Sequence, residues 1–131
     1  MASIRTNKSI LAVDDELDIV NLIKQSLDMS GFKVCTFMDA LAALKHFKSN
    51  FRYYDIVISD IRMPGMNGYE FIKHVKKINR KVKTVLMSVF EINDKEFHNL
   101  LPDIKIDAFI QKPFSIQQLK HTIDKISIRA S

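Results

Sequence analysis

The sequence predicts an α/β fold in which five parallel strands form one doubly wound sheet. Short apolar runs alternate with amphipathic helical patterns five times along the 131 residues. This alternation is typical of a parallel sheet covered by helices on both faces. Four of the apolar runs end at polar side chains, at Asp14, Asp60, Ser88 and Lys112. Because the carboxyl ends of parallel strands lie along one edge of a sheet, we expect these side chains to meet there.

The first two strand and helix units follow from apolar periodicity and from helix-ending residues. A strand over residues 9–13 leads into a helix that Gly31 is placed to end. A second strand covers residues 32–37, and Asp39 is expected to cap the helix that follows it. The apolar faces predicted for these helices comprise Ile19, Val20, Ile23 and Leu27 in the first and Leu41, Leu44 and Phe47 in the second.

The remaining units begin with a third strand over residues 55–59. This strand is nearly all apolar and β-branched, as expected when both faces of a parallel sheet are covered. Turn-forming residues at 63–68 precede a helix over about 69–77. The later predicted elements are a strand over 83–87, a weaker helix over 93–101, a strand over 108–111, and a last helix with Ile116, Leu119, Ile123 and Ile126 on one face.

Length and composition limit the class of protein. The 131 residues, of which 47% are hydrophobic, predict a single domain over residues 1–131 with a core of about 9–126. The one cysteine, Cys35, excludes an internal disulfide. No apolar run approaches the ~20 residues of a membrane-spanning helix, and residues 1–10 lack a signal-peptide hydrophobic region. We therefore expect a cytoplasmic protein with no membrane contact.

The basic balance of the chain raises the question of nucleic-acid binding. The net charge is +5, the pI is about 9.4, and six of the residues from 73 to 83 are Lys or Arg. Phe71, Ile72 and Val75 recur among them at helical spacing, which favours the solvated face of an amphipathic helix. Because no aromatic residue is interleaved on that face to stack bases, we expect no direct nucleic-acid binding.

Glycine and histidine usage argues against two further kinds of site. The three glycines do not form a dinucleotide-binding or P-loop pattern. The four histidines have no metal-ligand spacing, so a zinc site is not expected. The residues concerned are Gly31, Gly65 and Gly68, and His46, His74, His98 and His121.

Acidic residues at two strand ends indicate a cation site. Asp14, Asp15 and Glu16 precede a helix, so helix capping alone could explain one or two of them. Capping does not explain Asp60 at the end of another strand. If the two strands are neighbours, each carboxylate pair at ~4 Å repels by roughly 4 kcal/mol before relaxation. Mg²⁺, together with the ammonium of Lys112, would offset this repulsion.

These motifs, in this order, resemble the receiver domain of two-component response regulators. The matching segments are Val-Asp-Asp-Glu at 13–16, Ser-Asp-Ile-Arg-Met-Pro-Gly-Met-Asn-Gly at 59–68, Ser88, and Phe-Ile-Gln-Lys-Pro-Phe at 109–114. The resemblance extends from about residue 9 to residue 126. It implies a flavodoxin-like (βα)5 fold with strand order 2-1-3-4-5.

The resemblance implies a phosphoryl acceptor with a magnesium site. Asp60 matches the aspartate that takes a phosphoryl group from a sensor histidine kinase or a phosphotransfer protein. Asp15 and Asp60 match direct Mg²⁺ ligands, Asp14 matches an acid that acts through metal-bound water, and the backbone carbonyl of Arg62 matches the remaining protein ligand. Such a domain catalyses its own aspartyl phosphorylation and dephosphorylation, and is not an enzyme in the usual sense.

The resemblance also implies a conformational switch. Lys112 matches the lysine that pairs with the phosphoryl oxygen, Ser88 the switch hydroxyl and Phe109 the switch aromatic. The Lys112-Pro113 peptide would be cis. Phosphorylation would shift the packing of the fourth helix, fifth strand and fifth helix, which signal to a downstream effector domain or protein. The chain would be a monomer or a phosphorylation-dependent dimer.

The residues leave two alternatives to a phosphorylatable receiver domain. Val89 stands where this family usually has a very small residue, so a receiver fold that no longer cycles and serves only for docking is the second hypothesis. If the domain does cycle, Val89 and Phe90 are expected to shield the acyl phosphate and slow its hydrolysis. An aspartate-nucleophile phosphohydrolase is the third hypothesis. Enzymes of that kind resemble one another in carrying a second aspartate two residues after the nucleophile, where this chain has Arg62.

Overall fold

The computed structural model describes residues 8–89 and 104–128, which contain five strands and four helices. The strands are β1 (Ser9–Val13), β2 (Lys33–Phe37), β3 (Ile56–Asp60), β4 (Lys83–Ser88) and β5 (Ala108–Gln111). The helices are α1 (Leu17–Met29), α2 (Ala40–Asn50), α3 (Gly68–Ile78) and α4 (Ile116–Ile128). The helix predicted over residues 93–101 lies outside the described residues, as does Phe90.

All five strands are parallel, and their order is β2-β1-β3-β4-β5. The predicted doubly wound sheet and its strand order are therefore confirmed. This order places β1 beside β3, which is the arrangement that brings the first group of acids next to Asp60. None of the described helices is long and apolar enough to cross a membrane.

Alternate residues of the strands face two separate hydrophobic cores. Leu11 and Val57 face one core with α2 and α3, whereas Ile10 and Ile58 face the other with α1 and α4. Because helices cover both faces, β1 and β3 are buried along their whole length. The carboxyl edge of the sheet is thus the place where polar side chains from the central strands can reach solvent.

The helix ends follow the local signals in the sequence. Gly31 follows α1 with a φ of 95°, a left-handed conformation that glycine adopts without strain. Asp39 caps α2 by accepting the N–H of Ala42 at 2.8 Å. At the start of α3, Asn67 accepts the N–H of Glu70 at 2.9 Å, and the Glu70 carboxylate accepts the N–H of Asn67 at 3.3 Å.

Two predicted core positions are wrong. Leu41 is 58% exposed, because the buried face of α2 is formed by Ala40, Ala43, Leu44 and Phe47 at i, i+3, i+4 and i+7. Ile116 is 42% exposed at the first turn of α4, and burial on this helix starts at Leu119. Leu41 thus lies off the stripe of α2 that faces the sheet, whereas Ile116 is in line with Leu119 but lies at the exposed first turn of its helix.

The basic stretch at residues 73–83 is also not uniformly solvated, contrary to expectation. The Lys76 side chain is only 15% exposed, and its Nζ donates to the carbonyl of Val82 at 2.7 Å. It also forms an ion pair with Asp107 at 3.5 Å. The sequence pattern of α3 gave no sign of this partner, which comes from the segment before β5.

Candidate functional site

The polar strand ends meet at one edge of the sheet. Val13 is in register with Ser59 in the β1–β3 pair, so the residues that follow them, Asp14 and Asp60, lie side by side. On the other side of β3, Ser88 is in register with Gln111, and the N–H of Lys112 donates to the carbonyl of Ser88 at 2.7 Å. The register of the sheet therefore brings the four predicted side chains together.

Three carboxylates form a group with the geometry of a cation site. One carboxylate oxygen each from Asp14, Asp15 and Asp60 lies within 4.8 Å of the other two. Asp14 is fully buried and Asp60 is 6% exposed, whereas Asp15 is exposed. A set of hard oxygen donors that is open on one side suits Mg²⁺, which retains several water ligands. These residues therefore fit the predicted metal.

The ammonium of Lys112 lies among these acids. Its Nζ is 2.8 Å from Asp14 Oδ2, 3.0 Å from Glu16 Oε1 and 3.3 Å from Asp60 Oδ1. When all four acids of the cluster are ionised, Asp15 included, one ammonium leaves a net charge of −3. Because Lys112 is itself only 7% exposed, solvent screens this charge incompletely.

Burial and mutual repulsion shift the pKa values of the acids. Burial raises the pKa of Asp60 to about 6, and the neighbouring Asp14 raises it as well, against the lowering effect of Lys112. Burial also raises the pKa of Asp14, although Lys112 and the N–H of Glu16 favour its ionised form. For Lys112, burial lowers the pKa, but its ion pairs with Asp14 and Glu16 outweigh that effect and the net shift is upward.

Helix capping accounts for little of the first acidic group. Glu16 is the N-cap residue of α1, yet its side chain makes no capping hydrogen bond. Asp14 Oδ1 accepts the N–H of Glu16 at 2.9 Å, so one carboxylate oxygen of the group is engaged by the backbone. The Glu16 carboxylate contacts Lys112 instead, a pairing that strand-end geometry did not predict because Glu16 lies in the turn between β1 and α1.

Two residues that support Asp60 were missed by the sequence argument. Ser59 is fully buried, and its Oγ donates to the backbone carbonyl of Asp60 at 2.9 Å. Gly68, the first residue of α3, packs so closely on Asp60 that an added Cβ would overlap the Asp60 carbonyl oxygen. Its N–H donates to the carbonyl of Ile61 at 2.8 Å. The signal for this contact in the sequence is a glycine directly after a helix N-cap, where turn propensity alone also favours glycine.

A cavity of about 260 Å³ lies next to Asp60. Ser88, which is 5% exposed, and Val89, which is 55% exposed, line this cavity together with Arg62 and Lys112. Phe109 is half-buried in β5 and packs against the core that faces α2 and α3. The Lys112-Pro113 peptide bond is cis, as the resemblance implied.

Comparison with protein families gives one match that covers most of the chain. The family model described as the response regulator receiver domain matches residues 10–124. Among curated relatives, the alkaline phosphatase synthesis transcriptional regulatory protein PhoP of Bacillus subtilis is 30% identical over 95% of this chain and 50% of its own length. The response regulator SaeR of Staphylococcus aureus is 28% identical over 92% of this chain and likewise 50% of its own length. The chain thus spans about half the length of these relatives.

Solved structures resemble this chain over nearly their whole length. The response regulator protein TrrA from Thermotoga maritima, in complex with Mg²⁺ and BeF, is 32% identical, with a TM-score of 0.78 over 91% of this chain and 98% of that one. The chemotaxis response regulator CheY4 of Vibrio cholerae is 27% identical, with a TM-score of 0.80 over 92% of this chain and 99% of that one.

Proposed function

Because this chain belongs to the response regulator receiver domain family of two-component systems, we propose that it accepts a phosphoryl group on Asp60 in a Mg²⁺-dependent reaction. The single observation that carries the proposal is the meeting of Asp14, Asp15 and Asp60 around a shared position, with Lys112 beside them. Four acids, of which Asp14 and Asp60 are buried, and one ammonium leave a negative excess that a divalent cation would neutralise.

The metal would be held by Asp15 and Asp60 directly, by Asp14 through water, and by the backbone carbonyl of Arg62. When bound, Mg²⁺ supplies positive charge that neutralises carboxylate and phosphoryl oxygens. The exposure of Asp15 and Arg62 supports this assignment. Both residues line the cavity next to Asp60, so a metal ion and its water ligands can reach the three carboxylates from solvent.

In the transfer step, an Oδ atom of Asp60 attacks the phosphorus of a donor such as phosphohistidine. The new O–P bond forms as the P–N bond breaks, and the electron pair of that bond goes to the imidazole of the donor. Phosphoryl transfer depends mainly on positioning and on neutralising oxygen charge. Lys112, already 3.3 Å from Asp60, supplies a fixed cation for a phosphoryl oxygen.

The phosphorylated residue would then bias a switch. Ser88 lines the same cavity as Asp60, so its hydroxyl is in a position to bond a phosphoryl oxygen. Phe109 on the neighbouring strand β5 is in register with Leu86 of β4, two residues before Ser88. A movement of Ser88 toward the phosphoryl group would change the packing available to Phe109 and alter the surface around β5 and α4.

The partners proposed for this cycle are a sensor histidine kinase or phosphotransfer protein as the donor, and an effector as the target. PhoP is described as a transcriptional regulatory protein, and this chain covers 50% of its length. The rest of PhoP lies beyond the matched region, so a transcriptional output is proposed only for an effector outside these 131 residues.

The proposal is tested by trapping the acyl phosphate. We expect that Mg²⁺ and acetyl phosphate, followed by borohydride reduction and peptide mass spectrometry, will modify Asp60 in the parent. Asp60→Asn should not be modified at that position, whereas Asp28→Asn, which removes an exposed carboxylate from α1, should behave as the parent. Modification of Asp60→Asn to the same extent as the parent would contradict the assignment.

A second measurement separates a cycling receiver from a docking module. Addition of Mg²⁺ and beryllofluoride should shift the backbone amide NMR signals of the connection between β3 and α3 and of the carboxyl end of β4. A protein that shows no shift with either reagent would instead be the non-cycling module. Steady turnover of a phosphate monoester would favour the phosphohydrolase.

A further inference from the structure

A concave basic surface lies at the end of the sheet opposite to Asp60. It is formed by the second half of α3 and by the segment that leads into β5. Because β4 begins at Lys83 and β5 at Ala108, this surface lies near the amino ends of the strands. We call it the basic concavity, and its lining residues are Lys73, Lys76, Lys77, Arg80, Ile104 and Lys105.

One cation of the basic concavity is fixed in place. The Nζ of Lys76 donates to the carbonyl of Val82 at 2.7 Å and lies 3.5 Å from Asp107 Oδ2. The same oxygen of Asp107 accepts the backbone N–H of Thr84 at 2.8 Å. The acid is therefore already engaged, and it holds the lysine at the wall of the concavity.

The charge around this surface is strongly unbalanced. Five cationic side chains line the basic concavity, and Asp107 is the one acid that pairs with them among residues 8–89 and 104–128. Within the same ranges, Lys73, Lys77 and Arg80 have no ion-pair partner. Burial lowers the pKa of Lys76, and the cations Lys105 and Lys83 lower it further, against the raising effect of Asp107.

We propose that the basic concavity is a docking surface for a carboxylate-rich segment of a partner protein. Positions 73, 76 and 77 lie on one side of the last turns of α3, over about 6 Å of the helix axis, and Arg80 follows in the turn after the helix. A surface of this size matches a few residues of extended chain. Negative side chains in that segment would neutralise the excess of four positive charges that the described residues carry at this surface.

The chemistry of the lining favours carboxylates over phosphate or nucleic acid. This end of α3 presents backbone carbonyls, whereas phosphate sites commonly use the N–H groups of a helix start or a backbone nest. Among the residues that the structure describes, the lining contains no aromatic side chain on which a base could stack. Since the basic concavity lies away from Asp60, the inference does not depend on the proposed phosphorylation.

The test uses a fluorescein-labelled peptide of ten glutamates and fluorescence anisotropy at low salt. We expect saturable binding to the whole chain, and about fivefold weaker binding for Lys77→Gln combined with Arg80→Gln. The matched control is Lys45→Gln combined with Lys48→Gln, which removes the same charge from exposed positions on α2 and should change the affinity less than about twofold. Amide signals of α3 and of residues 104–107 should shift on titration.

Three results would overturn the proposal. The first is no binding to the parent chain, as expected if carboxylates of the chain itself neutralise the surface. The second is an equal loss of affinity in both double variants, which would indicate attraction by net charge alone. The third is tighter binding of a duplex or single-stranded oligonucleotide with the same dependence on Lys77 and Arg80, which would assign the surface to nucleic acid. Thermal unfolding of each variant establishes that the exposed substitutions leave the fold intact.

Discussion

The ammonium of Lys112 lies closer to Asp14 than to Asp60, at 2.8 Å and 3.3 Å. Asp14 is also the more buried acid, with no exposed surface. In this arrangement the one ammonium compensates mainly the carboxylate that solvent cannot reach. The carboxylate of Asp60 is left with an elevated pKa, facing the accessible side of the site.

Removal of Lys112 is therefore expected to destabilise the metal-free protein. Lys112→Met leaves Asp14 buried without its cation, which should lower the free energy of unfolding by about 3 kcal/mol. Urea denaturation measures the change. Adding Asp14→Asn to Lys112→Met should recover most of the loss, and Lys45→Met, at an exposed position, should have little effect. A cost below about 1 kcal/mol for the single change would mean that the ion pair is unimportant.

Asp15→Asn is expected to hold or raise the melting temperature of the metal-free protein while weakening Mg²⁺ binding. Removing one of four clustered negative charges relieves repulsion, and the same removal takes away a proposed metal ligand. Calorimetric titration with Mg²⁺ and thermal unfolding in EDTA measure the two effects. Asp18→Asn, on the exposed side of α1, serves as the control. A marked fall in stability would indicate that Asp15 acts mainly as a helix-capping group.

The pKa of Asp60 predicts how the stability of the metal-free protein depends on pH. Because the folded pKa, about 6, lies above the ordinary value of 3.8, folded protein binds the proton more tightly than unfolded chain. The contribution of Asp60 to stability is thus largest below pH 3.8 and is lost as the pH rises through 6. Going from about pH 7 to about pH 5 should stabilise the parent relative to Asp60→Asn by about 1 kcal/mol. Urea denaturation of both proteins at the two pH values measures this difference, and parallel pH profiles would contradict it.

Much of the site follows from the sequence because it depends on strand order and strand ends. The apolar runs located the ends of β1, β3, β4 and β5 to within one residue, so the positions of Asp14, Asp60, Ser88 and Lys112 could be predicted from the geometry of a parallel sheet. The roles of these residues came from the resemblance and remain proposals.

Contacts between distant segments could not be predicted in the same way. The pairing of Glu16 with Lys112 and that of Lys76 with Asp107 each involve an acid outside the helices and strands, whose position periodicity does not encode. The first turns of helices were a second source of error. Leu41 fits a helical pattern yet lies off the buried stripe, since alanines at positions 40 and 43 allow α2 to pack closely on the sheet.

Gly68→Ala is expected to destabilise the protein and weaken Mg²⁺ binding together. A Cβ at this position would overlap the carbonyl of Asp60 and crowd Ile61, so the β3–α3 connection must shift. We expect a loss of about 2 kcal/mol in the free energy of unfolding, typical of overpacking. Gly65→Ala, which meets nothing within 4 Å but has a φ of 82°, separates backbone strain from crowding. Metal affinity equal to the parent in Gly68→Ala would show that Asp60 does not depend on this contact.

Val89 is expected to control access of water and small donors to Asp60. Its side chain is 55% exposed and lines the cavity shared by Asp60, Ser88 and Lys112. If Asp60 is phosphorylated as proposed, Val89→Ala should shorten the half-life of the acyl phosphate severalfold, because the smaller side chain excludes water from the site less well. For the same reason, phosphorylation by acetyl phosphate should become faster. The half-life is measured after rapid removal of the donor in Mg²⁺, with Leu41→Ala as a control at a similarly exposed apolar position on α2. A half-life of only seconds in the parent, or equal half-lives in all three proteins, would show that Val89 does not shield the site.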